Sequence, residues 1–398
     1  MSEGFPIEPA NRLKRLPPYM FGELNRLKLE KRQQGIDVID FGMGNPDQPS
    51  VQVAVDKLQE VINDPKTHRY SASKGIPQLL KAVSDRYKRQ YDVHLEPSKE
   101  VIATIGSKEG ISHLSLALLG PGDSAIIPSP SFPIHVWSVV LAGSNVITVP
   151  MSNKMDHFLQ DLAHIVENLW PKPKVMFLNF PHNPTTTVTT LEFFEEIVQF
   201  AKKNEIIVIH DFAYADITFG DYKAPSFLQA KGAKDVGVEF TSMSKSFNMA
   251  GWRCGFCAGN EKIINYLATI KGYYDYGIFT PIQVASIMAL RSNDEEMANV
   301  ALQYEMRRDI LVDGLGKCGW HFDRPQATMF VWAPIPEKFR SMGSFDFSKL
   351  LLEKAEVLVS PGVGFGETGE NFVRMSLVEN PDRIRQAARQ IGKTLNLL

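Results

Sequence analysis

Cysteine is scarce in this sequence: three residues among 398, too few for a disulfide framework. Cys254 and Cys257 form a lone C-x-x-C, yet Cys254-Gly-Phe-Cys-Ala258 reads as a strand. Their side chains then point to opposite faces with Cα atoms about 10 Å apart, beyond disulfide reach. Long hydrophobic runs are missing too. No stretch approaches the roughly 18 to 20 apolar residues of a membrane span, and Met1 to Leu16 carries charges and prolines where a signal peptide needs an apolar segment. The expected location is cytoplasmic, with no membrane partner. Nor does one sign of charge dominate: 43 Lys and Arg against 45 Asp and Glu leave a net charge of -2, so no nucleic-acid partner is expected. The nine histidines contain no H-x-x-H or H-E-x-x-H spacing, and no metal site is expected. Internal repeats, low-complexity tracts and charged tails are also absent.

What is present is an ordinary globular composition, 44% hydrophobic and 22% charged, long enough for a large domain and a smaller one. Short β-branched runs alternate with helical patterns through the middle of the chain, which predicts an α/β fold with a mostly parallel sheet covered by helices. Seven strands are expected: Val101 to Ile105, Ser124 to Ile127, Asn145 to Val149, Lys174 to Leu178, Ile206 to His210, Val238 to Ser242 and Gly255 to Ala258. A helix over Leu191 to Asn204 should be capped by Thr190. Past Pro281 the pattern predicts one long helix, about 282–315, linking to a smaller α+β domain. That domain contains strand-like runs Met329 to Ala333, Val357 to Ser360 and Phe372 to Leu377, and a terminal helix from about Asp382. The expected division is an N-terminal arm at 1–16, a small domain at 17–45 with 282–398, and a large domain at 46–281.

One segment, Thr241-Ser-Met-Ser-Lys-Ser246 with Arg253 close behind, carries the chemistry. A nucleophilic lysine needs its pKa lowered by a neighbouring cation or by desolvation, and a phosphate needs the hydroxyls and guanidinium that Ser242, Ser244 and Arg253 can supply. A solvated turn is the plainer alternative for this segment alone. Other segments add parts of one site. Asp211 ends the Ile206-Ile-Val-Ile-His210 run, at the strand end where doubly wound sheets bind ligands; a buried carboxylate needs a partner, and a protonated pyridine nitrogen is one. Tyr214 can reach over as a hydroxyl donor. Asn179-Phe-Pro-His-Asn-Pro184 is a turn presenting Asn183 at the same sheet edge. Ile105-Gly-Ser-Lys-Glu-Gly110 places backbone N–H groups and the Ser107 hydroxyl at a helix N-terminus, which suits a phosphate. Phe132, in Ser129-Pro-Ser-Phe-Pro-Ile-His135, can stack on a flat heterocycle.

With these residues the chain resembles the fold-type I, class I/II pyridoxal-phosphate aminotransferases over nearly its whole length, and within them the glutamate-pyruvate (alanine) transaminases, with LL-diaminopimelate and aspartate aminotransferases as near relatives. The resemblance implies that Lys245 carries pyridoxal 5'-phosphate as a Schiff base and shuttles a proton between the substrate Cα and the cofactor. It implies that Arg253, Ser242, Ser244, Ser107 and Lys108 hold the phosphate, with Gly106 giving close backbone approach. Phe132 matches the ring-stacking aromatic and His135 a histidine behind Asp211. Arg374, in Asn371-Phe-Val-Arg-Met-Ser376, matches the arginine that clamps the substrate α-carboxylate, and Gly44 a glycine whose backbone faces it. Tyr70 matches a tyrosine that reaches the phosphate of a neighbouring subunit, implying a homodimer with shared active sites. Small amino acids and 2-oxoacids are then the expected substrates.

Two departures bear on this. Thr186 stands where many relatives carry glycine after Asn183-Pro184-Thr185, and the window Tyr273 to Phe279 holds no Arg or Lys where some aspartate-specific members place a second-carboxylate arginine. The second favours a small apolar amino acid as one substrate. The expected reaction is L-alanine plus 2-oxoglutarate giving pyruvate plus L-glutamate by a ping-pong route. The alternatives are an LL-diaminopimelate, aspartate or broad-range transaminase and a carbon-sulfur lyase; a ligand-sensing regulator is disfavoured, because only about 40 residues precede the Gly44 motif. Gly362-Val-Gly-Phe-Gly366 opens no helix and lacks dinucleotide-binding spacing. Ser129 and Ser131 lack nucleophile-elbow glycines.

Overall fold

A computed structural model of the chain describes residues 7–17, 20–151, 155–292 and 294–397. The expected arm lies partly outside the described residues; within them it contains one helical turn, Asn11–Lys14.

Seven strands form the central sheet, in the spatial order Val101–Thr104, Gly255–Gly259, Gly237–Ser242, Ile207–Asp211, Val175–Asn179, Ser124–Ser129 and Asn145–Pro150. Gly255–Gly259 runs antiparallel to both its neighbours and the other pairs are parallel. The five central strands are apolar runs buried on both faces, as a sheet covered by helices requires. Val175, Phe177 and Ile209 face one core cluster, while Met176, Leu178 and Val208 face another. Helix Leu191–Asn204 begins where Thr190 accepts the Phe193 N–H, as its sequence predicts. Cys254 and Cys257 are free and buried, and burial pushes the Cys254 thiol up to about 12.

A second core joins Ile39, Phe41, Leu311, Phe347, Val373 and Ile391 around a three-stranded antiparallel sheet of Ser360–Pro361, Phe372–Ser376 and Phe330–Pro334. The expected strand Val357 to Ser360 divides between two sheets. Val357–Leu358 pairs in parallel with Ile39–Asp40, and Ser360–Pro361 crosses to Phe372–Ser376. The single long helix is also corrected: one helix, Thr280–Arg291, ends and another, Asp294–Gly316, begins. Ser292 causes the stop by local competition, since its extended backbone leaves the helix and its hydroxyl donates to the Ala289 carbonyl at 2.7 Å. The first of these helices packs Ala285, Ile287 and Leu290 with Leu79 and Val83 of the large core, on the other side of the boundary expected at 282. No helix among the described residues is long and apolar enough to cross a membrane.

Candidate active site

Parallel strands end together, and the carboxyl edge of the sheet gathers Asn179, Asp211 and Ser242 at the floor of a cavity of about 410 Å³, an ordinary size for a small-molecule site. Asp211 is the buried charge there. His135 Nε2 lies 2.9 Å from its Oδ2, and His135 Nδ1 is 3.0 Å from Ser131 Oγ. Oδ1 is buried with no hydrogen-bond partner. An ionised oxygen held this way is costly unless something positive meets it, and a protonated ring nitrogen in the cavity is such a partner. The arrangement therefore fits pyridoxal phosphate at its pyridine end.

The phosphate end fits as well. Helix Ser107–Leu118 points its N-terminus into the cavity, with Ser107 and Lys108 on the wall. Ser242 and Ser244 join through a 2.9 Å hydroxyl contact, and Ser242 Oγ also accepts the Ser244 N–H. Arg253, in a left-handed conformation at φ 55°, donates to the Ala250 carbonyl at 2.9 Å and lies against Gly106. Gly106 has φ +73°, and a Cβ there would fall 2.2 Å from Arg253 Nη2, so only glycine leaves the guanidinium its place.

Lys245 sits in the short helix Met243–Ser246 just past the strand and donates from Nζ to the Gly44 carbonyl at 2.6 Å. Its ammonium is disfavoured by burial first, then by Arg374 and Arg253, which lowers its pKa to about 8. Tyr214 is pushed above the ordinary phenol range, chiefly by burial, so it remains a hydroxyl that can donate. Asn183 Nδ2 lies 3.2 Å from Tyr214 Oη, and Asn183 Oδ1 accepts from Arg374 Nη1 at 2.8 Å.

Arg374 is 6% exposed. Its guanidinium lies 4.2 Å from the Phe330 ring centroid and 4.6 Å from that of Phe365, and Nη2 donates to the Gly42 carbonyl at 3.1 Å. The backbone beside this arginine is thus that of Gly42, whereas Gly44 faces Lys245; a Cβ on Gly44 would fall 2.6 Å from Phe330. Phe330 and Phe365, and Phe21 that packs on Phe365, were not singled out in the sequence, because nothing local marks aromatics that gather at an arginine only after folding. Asn179 was also passed over as a participant, though it stands in the quoted turn; it lines the cavity beside Asn183.

The structure thus collects Lys245, Asp211, Tyr214, Asn183, Ser107, Lys108, Phe132, Ser242, Ser244, Arg253, Gly44 and Arg374 around one cavity, with Gly106 and His135 directly behind. Tyr70 lies elsewhere on this chain. It is 85% exposed, with its ring centroid 4.5 Å from that of Tyr276. Thr186 takes the left-handed φ of 61° that glycine usually supplies. Away from the cavity, Glu109, His113 and Asp275 bring ligand atoms within 4.8 Å of one another. The buried ammonium of Lys271, 3.0 Å from both carboxylates, already supplies a cation there.

Comparison with known proteins agrees with this geometry. The family described as aminotransferase class I and II matches residues 36–391. A glutamate-pyruvate aminotransferase of Escherichia coli is 50% identical over 391 residues, 98% of this chain and 95% of that protein. An LL-diaminopimelate aminotransferase of Moorella thermoacetica is 42% identical over 98% of this chain and 99% of its own length. Among solved structures, apo-BacF of Bacillus subtilis superposes with a TM-score of 0.93 at 37% identity, covering 98% of each chain.

The depressed basicity of Lys245 has a direct consequence. In cofactor-free protein, its neutral amine should gain reactivity towards an acylating reagent with a midpoint near pH 8, well below that of ordinary lysines. Mass-spectrometric labelling against pH reads this; a midpoint near 10.5 would contradict the electrostatics described.

Proposed function

The chain belongs to the class I and II aminotransferases, enzymes dependent on pyridoxal phosphate, and from that premise we propose that it exchanges amino groups between L-alanine and 2-oxoglutarate, giving pyruvate and L-glutamate. The observation that carries the substrate reading is the 50% identity, over nearly the full length, to a glutamate-pyruvate aminotransferase. The cavity wall agrees. Phe21, Leu24, Met43, Leu358, Val359 and Phe365 are apolar, which suits a methyl side chain, and no Arg or Lys occurs from Tyr273 to Phe279.

When bound, pyridoxal phosphate supplies the carbon that carries the amino group between substrates and a ring that withdraws electrons from the substrate Cα. The remaining roles belong to the protein. Lys245 Nζ would hold the cofactor, and its amine, when free, would be placed to take a proton from the substrate Cα and to give one back. A pKa near 8 suits this task, because it leaves about a tenth of the amine free at pH 7, far more than an ordinary lysine has. Asp211 Oδ1 would meet a protonated ring nitrogen, while His135 anchors Oδ2 and fixes the carboxylate's orientation. Tyr214 and Asn183 would donate to the ring's phenolic oxygen. Ser107, Lys108, Ser242, Ser244 and Arg253 would receive the phosphate. Arg374, flattened between Phe330 and Phe365, presents its planar fork to the α-carboxylate.

Partnering follows from the surface. Tyr70, Tyr273, Tyr274 and Tyr276 are all exposed, and aromatics of this kind are enriched where chains associate. The reading is a homodimer in which Tyr70 reaches the phosphate site of the partner.

Three outcomes are expected. Purified protein should be yellow with bound cofactor and Lys245→Ala should not bind it covalently; in a screen of single amino acids, alanine and glutamate should discharge the colour fastest. Preference for LL-diaminopimelate or aspartate would replace the substrate assignment, and pyruvate release without an oxoacid acceptor would make the protein a lyase. Sedimentation should give twice the 44.6 kDa chain mass, with Tyr70→Ala weakening cofactor binding; a monomer binding cofactor normally would refute the shared site. Asn25, one helical turn from Phe21 on the apolar wall, offers an amide to the distal carboxylate of glutamate. Asn25→Leu should raise KM for glutamate and 2-oxoglutarate about tenfold, the effect of one hydrogen bond to a charged group, and leave alanine and pyruvate within about twofold; an equal loss for all four would remove this assignment.

A further inference from the structure

Glu239 lies fully buried in the strand Gly237–Ser242, and its carboxylate is surrounded. Tyr87 Oη donates to Oε1 at 2.8 Å, Ser226 Oγ donates to Oε1 at 2.7 Å, and the Phe227 N–H donates to Oε2 at 2.7 Å. His210 Nδ1 is 2.8 Å from Oε2. A carboxylate accepts from each neighbour, so the imidazole carries its hydrogen on Nδ1. Nε2 lies 3.2 Å from both the Phe180 N–H and the Phe180 carbonyl; with the hydrogen of a neutral ring on Nδ1, Nε2 is a lone pair and the N–H is the partner it can take.

His210 stands where an apolar ring would pack without partners. Its centroid is 5.0 Å from Phe194, 5.2 Å from Phe212 and 6.3 Å from Phe227. A polar ring in that setting connects Glu239 on one side to the Phe180 peptide on the other. Phe180 begins the turn that carries Asn183. The far end of the turn is tied by Asn179, whose Oδ1 accepts the Asn183 N–H at 2.9 Å and whose Nδ2 donates to the Asp211 carbonyl at 2.7 Å. Asn183 Oδ1 in turn receives Arg374 Nη1. Neither Glu239 nor His210 lines the cavity, and the Phe180 peptide is the contact that joins the His210 side chain to the turn.

We propose that Glu239 and His210 are positioning residues for substrate binding: the carboxylate selects the imidazole tautomer, the imidazole pins Phe180, and the pinned turn holds Asn183 beneath the Arg374 guanidinium. This rests on the reading of Arg374 as the carboxylate clamp. Unpinning the turn loosens the guanidinium that meets the substrate and the amide that meets the cofactor, while Lys245 and Asp211 keep their own supports.

The test compares His210→Phe with His210→Gln in cofactor-loaded enzyme. Glutamine can place its Oε1 near the position of Nε2, so the Phe180 N–H keeps an acceptor. The readouts are KM and kcat for the amino donor, the visible absorption of bound pyridoxal phosphate and its dissociation constant. His210→Phe should raise KM about tenfold, leave kcat within about threefold and shift the absorption, whereas His210→Gln should stay within about twofold of the native enzyme. A folded Phe variant with native KM and absorption overturns the proposal, as does a Gln variant equally impaired. Should the Phe variant not fold, His210→Asn decides. Its side-chain amide stands near Nδ1 and can still donate to Glu239 but is too short to reach the Phe180 N–H; an unchanged KM and absorption overturn the proposal. Failure of the aminotransferase reading would be distinct, since no amino acid would then discharge the colour of the native protein.

Discussion

Asp211 is a carboxylate at the end of a strand buried in the middle of the molecule, and the site is organised around it. Its neighbours across the sheet are Asn179 and Phe240, its exposure is 5%, and the contact with His135 satisfies one oxygen. The other oxygen opens towards the cavity. Removing a charge from water costs several kcal/mol unless it is paired, so Asp211 is a strained element that a cationic heterocycle relieves. Cofactor affinity and catalytic electronics thereby share one source: the group that compensates the buried charge is the ring whose protonation the reaction needs.

The remaining charges of the cavity have the opposite sign. Lys108, Lys245, Arg253 and Arg374 line it, against the single carboxylate of Asp211 among the described lining residues. Such a site draws anions, and cofactor phosphate and substrate carboxylates are anions. The same crowding keeps Lys245 from holding its proton, since Arg374 and Arg253 add to the burial that depresses its pKa. Cations that bind the ligands therefore also prepare the amine that reacts with them. The two arginines stay charged throughout because a guanidinium does not deprotonate in this range, which leaves lysine as the residue whose protonation state can change.

Much of this was legible in the sequence wherever one short segment holds both the position and the chemistry. Lys245 and Arg253 share a strand-turn segment; Asp211 ends an apolar run and Asn183 stands in the turn after another; Gly106 precedes a helix. The seven strands were legible because each is a short apolar run, most of them β-branched, with turn residues beside it. The helix break at Ser292 was not, since a serine within a helical pattern is ordinarily tolerated and only its bond back to Ala289 shows that it stops the helix. The crossing of residues 357–361 between two sheets was hidden for another reason: a run of β-formers does not reveal which partner each residue will meet. Arg374 was legible as a residue, but its aromatic setting was not. Phe330 and Phe365 converge on it from two separate parts of the chain, and Phe21 from a third packs on Phe365.

That convergence also explains how the small-domain elements contribute to a site whose reactive groups lie on the large sheet. The helix Met20–Gln33 is tied down by Lys28 to Asp40 at 2.7 Å and by Arg32 to the Val38 carbonyl at 3.1 Å. Phe21 meets the Phe365 ring edge-on at 5.4 Å, and Phe365 in turn covers the Arg374 guanidinium. An arginine enclosed by rings has little freedom to leave its plane and is shielded from water, which strengthens its pull on a carboxylate. The N-terminal helix is therefore linked to Arg374 through two aromatic rings, and it lines the cavity directly with Leu24 and Asn25. A change of side-chain preference can thus arise on this helix without disturbing the Asp211 and Lys245 chemistry on which every substrate depends.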